Sequence, residues 1–215
     1  MSAQKINIPK LGIFLGLVAA IASGLLAMVY TSTAEAIALN LQKKTNAALE
    51  EVLPEFDNVP GEETKVINSA EGWPVKFYIA RKGGEIVGFA GEVITPEGFS
   101  GDVTVMAGLN LDGSVRTVIV TANTETPGLG TAITDRKMQK TIVDVIKGTE
   151  VEGLIPNNWL DQYDGRRAGG GRWMVKKDGG DVDAKTGATI TSRAVCGAVY
   201  AISKTAVDNL ESLRK

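Results

Sequence analysis

The chain has 215 residues, and its 23 Lys and Arg against 25 Asp and Glu give a formal net charge of −2, which provides no overall basic excess for nucleic acid, so no nucleic-acid partner is expected. It has no histidine, which removes the commonest general base and neutral-pH metal ligand, and no metal site is expected. Its only cysteine, Cys196, rules out an intramolecular disulfide, a Cys-x-x-Cys redox pair and an iron–sulfur cluster ligated by this chain alone.

From Leu11 to Ala34 there is no charged residue, and Leu11 to Tyr30 is almost wholly apolar. About 20 residues suffice for a helix to cross a hydrocarbon core, so residues 11–32 are expected to span a membrane and to contact lipid. Lys5 and Lys10 precede the span and the next basic residue is Lys43. By the positive-inside rule residues 1–10 stay in the cytoplasm, and the rest lies on the periplasmic side of the cytoplasmic membrane. A cleaved signal peptide is the rival, because Ala34-Glu35-Ala36 has the small-x-small form of a cleavage site. The apolar run exceeds the usual h-region, which favours an anchor. Gly12, Gly16 and Gly24 offer a flat face to another membrane helix, or simply reflect how common glycine is in such helices.

Residues 33–72 read as a juxtamembrane helix and linker. The helix runs over 33–53 with an apolar end at Leu49, Val52 and Leu53, and Pro54 stops it. Residues 54–72 read as loop. A domain over 73–215 follows. It opens with strands over 75–80, 85–94, 101–110 and 114–122, joined by an Arg81-Lys82-Gly83-Gly84 turn, a loop at 96–98 and a Leu111-Asp112-Gly113 hairpin turn. The pattern is an antiparallel meander. At its end stands Glu125-Thr126-Pro127-Gly128-Leu129-Gly130, in which Pro-Gly fits the centre of a type II turn with Gly128 at the position requiring positive φ. Residues 131–147 look helical, 157–171 loop-like, and 172–176 a short strand. No Walker loop fits the glycines at 169–171. Lys176 or Lys177 could stabilise negative charge on a reduced cofactor, or could be a solvated pair beside a turn.

The segment Asp183-Ala184-Lys185-Thr186-Gly187-Ala188-Thr189-Ile190-Thr191-Ser192 gathers hydroxyls where a helix over 190–213 begins. In that helix Val195, Val199, Ile202, Ala206 and Leu210 recur at helical spacing. Hydroxyl oxygens there cap unpaired N–H groups. The same N–H groups and the helix dipole suit a phosphate, and Gly187 allows close approach. A plain N-cap is the bland alternative. Cys196, among Val195, Gly197 and Ala198, reads as a packing residue.

The string Asp-x-x-Thr-Gly-Ala-Thr resembles the flavinylation motif of the FMN-binding domains of the Rnf electron-transport complex and of the Na+-translocating NADH:quinone reductase. The resemblance implies FMN joined by a phosphoester to Thr189, with Thr191 as runner-up. It implies contacts from Thr186, Gly187 and Ala188, and attachment by a flavin transferase. Glu-Thr-Pro-Gly-Leu-Gly resembles the same family's second hallmark, which lies over the flavin ring and would bring Glu125, Thr126, Gly128, Leu129 and Gly130 to it, with Lys176 nearby. Leu49 to Pro54 and Gly98-Phe99-Ser100-Gly101 extend the likeness. Length and the compact C-terminus look closest to the G subunits of Rnf complexes.

The implied fold is α+β: one transmembrane helix, then an FMN-binding domain with an antiparallel sheet and flanking helices. The implied role is electron relay, with no catalytic residues of its own, beside other membrane subunits of a ferredoxin:NAD oxidoreductase that translocates ions. Alternatives are the equivalent subunit of the quinone reductase, a stand-alone membrane-anchored extracellular flavin reductase, and a non-catalytic scaffold in which Thr189 is only a cap.

Overall fold

The computed structural model describes residues 8–136 and 154–214. Contacts divide the chain into two units, Met1–Lys44 and Thr45–Lys215.

Helix α1 runs from Ile8 to Val52 in one piece. The span expected at 11–32 and the juxtamembrane helix expected from residue 33 are continuous through Ala34-Glu35-Ala36. The hydroxyls of Ser32 and Thr33 donate to Met28 O at 2.7 Å and Val29 O at 2.9 Å, so these polar side chains are satisfied one turn back and do not interrupt the helix. Within the first unit the large apolar side chains from Leu11 to Tyr30 are exposed. The helix is long and apolar enough to cross a membrane, which fits a single-pass membrane protein.

In the second unit, among the described residues, five strands form one antiparallel sheet in sequence order. They are β1 Thr64–Asn68, β2 Pro74–Lys82, β3 Glu85–Thr95, β4 Val103–Leu109 and β5 Val115–Asn123. The expected meander is present. Strand β1 corrects the reading of 54–72 as loop. Its polar, half-buried sequence Thr-Lys-Val-Ile-Asn gives little alternation, and its pairing with β2 makes it an edge strand. The hairpin turns form as the sequence implies: Gly83, Gly84 and Gly113 all have positive φ, and Asp112 Oδ1 accepts the Ser114 N–H at 2.9 Å.

Period-two alternation sends Phe77, Ile79 and Phe89 to one face of the sheet and Tyr78, Ala80 and Ala90 to the other. The first face is covered by α4, Thr189–Asp208, through Val195, Val199 and Ile202. The second is covered by the last residues of α1 and those just after it, Ala48, Leu49, Val52 and Leu53. Both covers come close because the sheet is thinned by glycine. A Cβ on Gly91 would stand 2.4 Å from Ile202 Cγ2, and one on Gly108 would collide with Val52 O.

Three other elements differ from expectation. Of the helix read over 131–147, the described start is a single turn, α2 Thr131–Thr134, ended by an extended Asp135. Arg136 then points back to donate to Val118 O at 2.9 Å and pair with Asp161 at 2.7 Å. Residues 137–147 lie outside the described residues. The loop read over 157–171 contains a helical turn, α3 Asn158–Asp161, capped by Asn157 accepting the Trp159 N–H at 2.9 Å. The strand read at 172–176 has no ladder. Val175 makes one isolated bridge to Val182, and Lys176–Asp178 form a 3-10 turn, because Gly179 at φ +84° and Gly180, packed on the Met174 backbone, fold the chain back. The last helix begins at Thr189 and breaks at Asn209 before a final turn, α5 Leu210–Leu213.

Candidate functional site

Two loops, some 60 residues apart in sequence, meet at one cavity. The first, after β5, is the turn Thr126-Pro127-Gly128-Leu129. Leu129 N donates to Thr126 O at 3.2 Å and Gly128 has φ +77°, as the type II reading requires. The Thr131 hydroxyl accepts the Gly128 N–H at 2.8 Å, which fixes the turn to α2.

The second loop leads into α4. Ala188 N donates to Lys185 O at 3.0 Å across a turn in which Gly187 takes φ +86°. Ser192 closes it, its Oγ accepting the Lys185 N–H at 3.2 Å and donating to Ala188 O at 3.0 Å. Upstream, the side-chain amide of Gln162 grips the Asp183 backbone on both sides, at 2.7 Å and 3.1 Å. The motif is therefore held at both ends. The plain N-cap reading of its hydroxyls does not apply at the cap itself: the N-cap is Ala188, with no side-chain cap.

The cavity between the loops measures about 310 Å³ and is lined by Phe99, Glu125, Thr126, Leu129, Gly130 and residues 187–191. That lies at the lower end of small-molecule sites. Leu129, Ile190 and Phe99 are exposed apolar side chains on its wall. Glu125 is the polar floor, 5% exposed. It accepts the Phe99 N–H at 2.7 Å on Oε1 and the Thr191 hydroxyl at 2.9 Å on Oε2. It is thus a cross-brace between the β3–β4 loop, the β5 loop and α4. Gly130 and Gly98 must lack a Cβ to admit it: an added one would lie 2.4 Å and 2.9 Å from its carboxyl oxygens.

The two candidate hydroxyls differ. Thr191 is buried and committed to Glu125. Thr189 is half-buried at the cavity wall, and its Oγ1 accepts a hydrogen bond from Lys177 Nζ at 3.1 Å. Gly187 and Ala188 line the cavity, while Thr186 is exposed and does not. Lys176 is turned to Asp183, 2.7 Å away in an exposed ion pair. Of the two lysines considered from sequence, it is Lys177 that reaches Thr189. Arg193 forks onto Asp178 with two bonds of 2.7 Å and holds that carboxyl below its ordinary range. Sequence reasoning gives no role to Ile190 or Gln162, gives Ser192 only a share in capping, and gives Phe99 only a place in the family likeness. An exposed aromatic inside a Gly-Phe-Ser-Gly run is the available signal for Phe99.

The chain matches the model of the FMN-binding domain over residues 98–204 and that of the RnfG N-terminal region over residues 1–52. The first match takes in both loops of the cavity, and the second stops at Val52, where α1 ends. Curated relatives match along most of their length. The G subunit of an ion-translocating oxidoreductase complex of Pseudoalteromonas atlantica is 37% identical over 198 residues, 89% of this chain and 85% of its own. Its counterpart in Yersinia pestis is 37% identical over 196 residues, 87% of this chain and 85% of its own. That of Vibrio cholerae is 33% identical over 200 residues, covering 89% and 87%. With both of its parts matched and relatives similar along most of their length, the chain belongs to the family of G subunits of ion-translocating oxidoreductase complexes and carries an FMN-binding domain.

Proposed function

We propose that this chain carries FMN covalently, by a phosphoester to Thr189 Oγ1, and passes electrons within a membrane-bound, ion-translocating ferredoxin:NAD oxidoreductase. One observation carries the reading: Thr189 is the motif hydroxyl that is both at the cavity wall and free of the buried bracing that occupies Thr191. The residues fit the group. A side-chain hydroxyl at the start of a 20-residue helix suits a phosphate, and Leu129, Ile190 and Phe99 give apolar surface for a ring.

FMN, when bound, supplies the redox chemistry. The chain's own residues then have three tasks. Thr189 prevents dissociation, which suits a domain outside the cytoplasm where lost cofactor is not replaced. The Thr126–Leu129 turn and Ile190 shield the site on two sides. Glu125 holds the walls together. None of these tasks requires a side-chain acid or base, in keeping with a chain that has no histidine. Partners are the other subunits of the complex, as the relatives' names indicate for those proteins, together with a flavin transferase during maturation and lipid around α1. The Lys5 and Lys10 bias supports residues 1–10 in the cytoplasm and the FMN domain on the periplasmic side.

The test is peptide mass mapping of the full chain produced together with a flavin transferase. An added FMN-phosphoryl mass is expected on Thr189, lost in Thr189→Ala and retained in part in Thr189→Ser. Mass on Thr191 or Thr186, or no added mass, overturns the reading. Thr189→Ala leaves the fold intact: the side chain is no cap, and its loss costs within ~0.5 kcal/mol. Protease added to spheroplasts should digest the domain; protection would reverse the topology.

A further inference from the structure

Three consecutive side chains of the 3-10 turn Lys176–Asp178 each reach the motif or the helix it opens. Lys176 Nζ meets Asp183 at 2.7 Å, Lys177 Nζ meets Thr189 Oγ1 at 3.1 Å, and Asp178 receives the Arg193 fork at 2.7 Å. The backbone under them is fixed as well. Lys176 N donates to Val182 O at 2.8 Å, and Gly180 lies so close to Met174 that no Cβ fits. Lys177 is therefore held between two clamped neighbours. The other two cations here, Lys176 and Arg193, each pair with a carboxylate, whereas the Lys177 ammonium, near enough to Asp178 to help lower that carboxyl, makes its hydrogen bond to a neutral hydroxyl. The Lys177 side chain is exposed, yet its ammonium stands 3.1 Å from a neutral oxygen, where it would pair with an anion formed at that oxygen.

We propose that Lys177 is the positioning residue for the phosphate at Thr189, orienting the hydroxyl before attachment and pairing with the phosphodiester afterwards. The proposal rests on Thr189 being the attachment site. In the transfer, Oγ1 gives up its proton to the transferase and forms a bond to phosphorus. The pyrophosphate P–O bond of a flavin dinucleotide donor breaks, and the nucleoside monophosphate half leaves with the electron pair. Negative charge grows on the phosphoryl oxygens beside Oγ1, where the ammonium already stands. The product diester keeps one negative charge, which the ammonium balances. No electron is exchanged.

The test uses the full chain in detergent with purified flavin transferase and flavin dinucleotide, reading the rate of mass gain and the ³¹P resonance of the product. Lys177→Met is expected to load roughly tenfold more slowly or worse, the scale of a lost charge-assisted hydrogen bond. Lys177→Arg should recover to within about threefold, because charge is what matters. Lys204→Met, which removes the exposed Lys204–Asp208 pair of the same helix, should load like the parent. The ³¹P line should move in whatever fraction of Lys177→Met becomes loaded, and stay in Lys204→Met. If the parent is loaded on Thr189 and Lys177→Met loads at the parent rate, the proposal is overturned while the attachment stands. Failure of Lys177→Arg to recover overturns it too, since shape and not charge would then be limiting. A parent without flavin on Thr189 removes the attachment itself.

Discussion

Gly130→Ala isolates the cross-brace beneath the cavity. Gly130 has φ −64° and ψ −40°, a conformation alanine adopts without strain, so any cost must come from contact. The added Cβ would lie 2.4 Å from Glu125 Oε2 and 2.7 Å from Glu125 Cβ. The carboxyl group has nowhere to retreat: the Phe99 N–H holds Oε1, the Thr191 hydroxyl holds Oε2, and Gly98 closes in on Oε1. Displacing it breaks both hydrogen bonds and strands a buried hydroxyl on α4. At about 1–3 kcal/mol for each buried group left unsatisfied, the substitution should cost roughly 2–4 kcal/mol. For a chain of this size that is a fall in Tm of roughly 5–15 °C, read by near-UV circular dichroism of the full chain in detergent. In a Glu125→Ala background the clash disappears, so Gly130→Ala should then cost less than ~0.5 kcal/mol. The cycle should show coupling above ~1.5 kcal/mol. Equal costs in the two backgrounds would refute the cross-brace.

Three further outcomes follow from the same geometry. Gly128 has φ +77° and open space around it, so Gly128→Ala should cost about 1–2 kcal/mol through backbone strain alone, Gly128→Asn should cost less, and both should keep the proposed covalent flavin; equal stability of parent and alanine variant in thermal unfolding would count against the turn. At Gly108 a Cβ would strike Val52 O, so Gly108→Ala should destabilise by roughly 1–3 kcal/mol or more and raise proteolysis near residues 48–56, while unchanged protease sensitivity would show that the end of α1 does not rest on the sheet. Burial pushes the Cys196 thiol up to about 11. The folded state therefore keeps a proton that the unfolded chain loses above about pH 8.5, so this contribution is complete below that pH and falls as pH rises toward 11. Melting curves should decline over this range, and Cys196→Ala should flatten the part below pH 10. The remainder includes the Tyr163 and Tyr78 phenols, both raised by burial first of all.

Much of the fold is written in local signals. The four strands from residue 74 onward are apolar runs, buried on both faces, and are punctuated by Gly-Gly and Asp-Gly turns, so their order and pairing can be read without tertiary information. Strand β1 could not be read that way. Val66 is exposed and Ile67 is half-buried, so Thr64–Asn68 has little hydrophobic pattern and becomes a strand only because β2 offers it an edge. At residues 172–176 the error runs the other way. Trp173, Met174 and Val175 have strand composition, but among the described residues Val175 makes only an isolated bridge to Val182, and the glycines at 179 and 180 turn the chain before a ladder can form. Composition sets what a segment can do, and the available partner decides what it does.

The choice between Thr189 and Thr191 shows the same division at the site. Two residues apart on a helix means roughly 200° of rotation, so the sequence already requires that one hydroxyl face inward when the other faces out. It does not say which. That depends on the angle at which the chain enters α4, set by the positive φ of Gly187 and the Ser192 closure, and on a carboxyl group 66 residues upstream in sequence. With Glu125 fixed between Phe99 and α4, the inward position goes to Thr191, and Thr189 is left at the cavity wall against Lys177. A motif match names the segment. The assignment of roles within it comes from the brace, which is why disturbing Gly130, a residue that carries no functional group, should reach the hydroxyl on which the proposed chemistry depends.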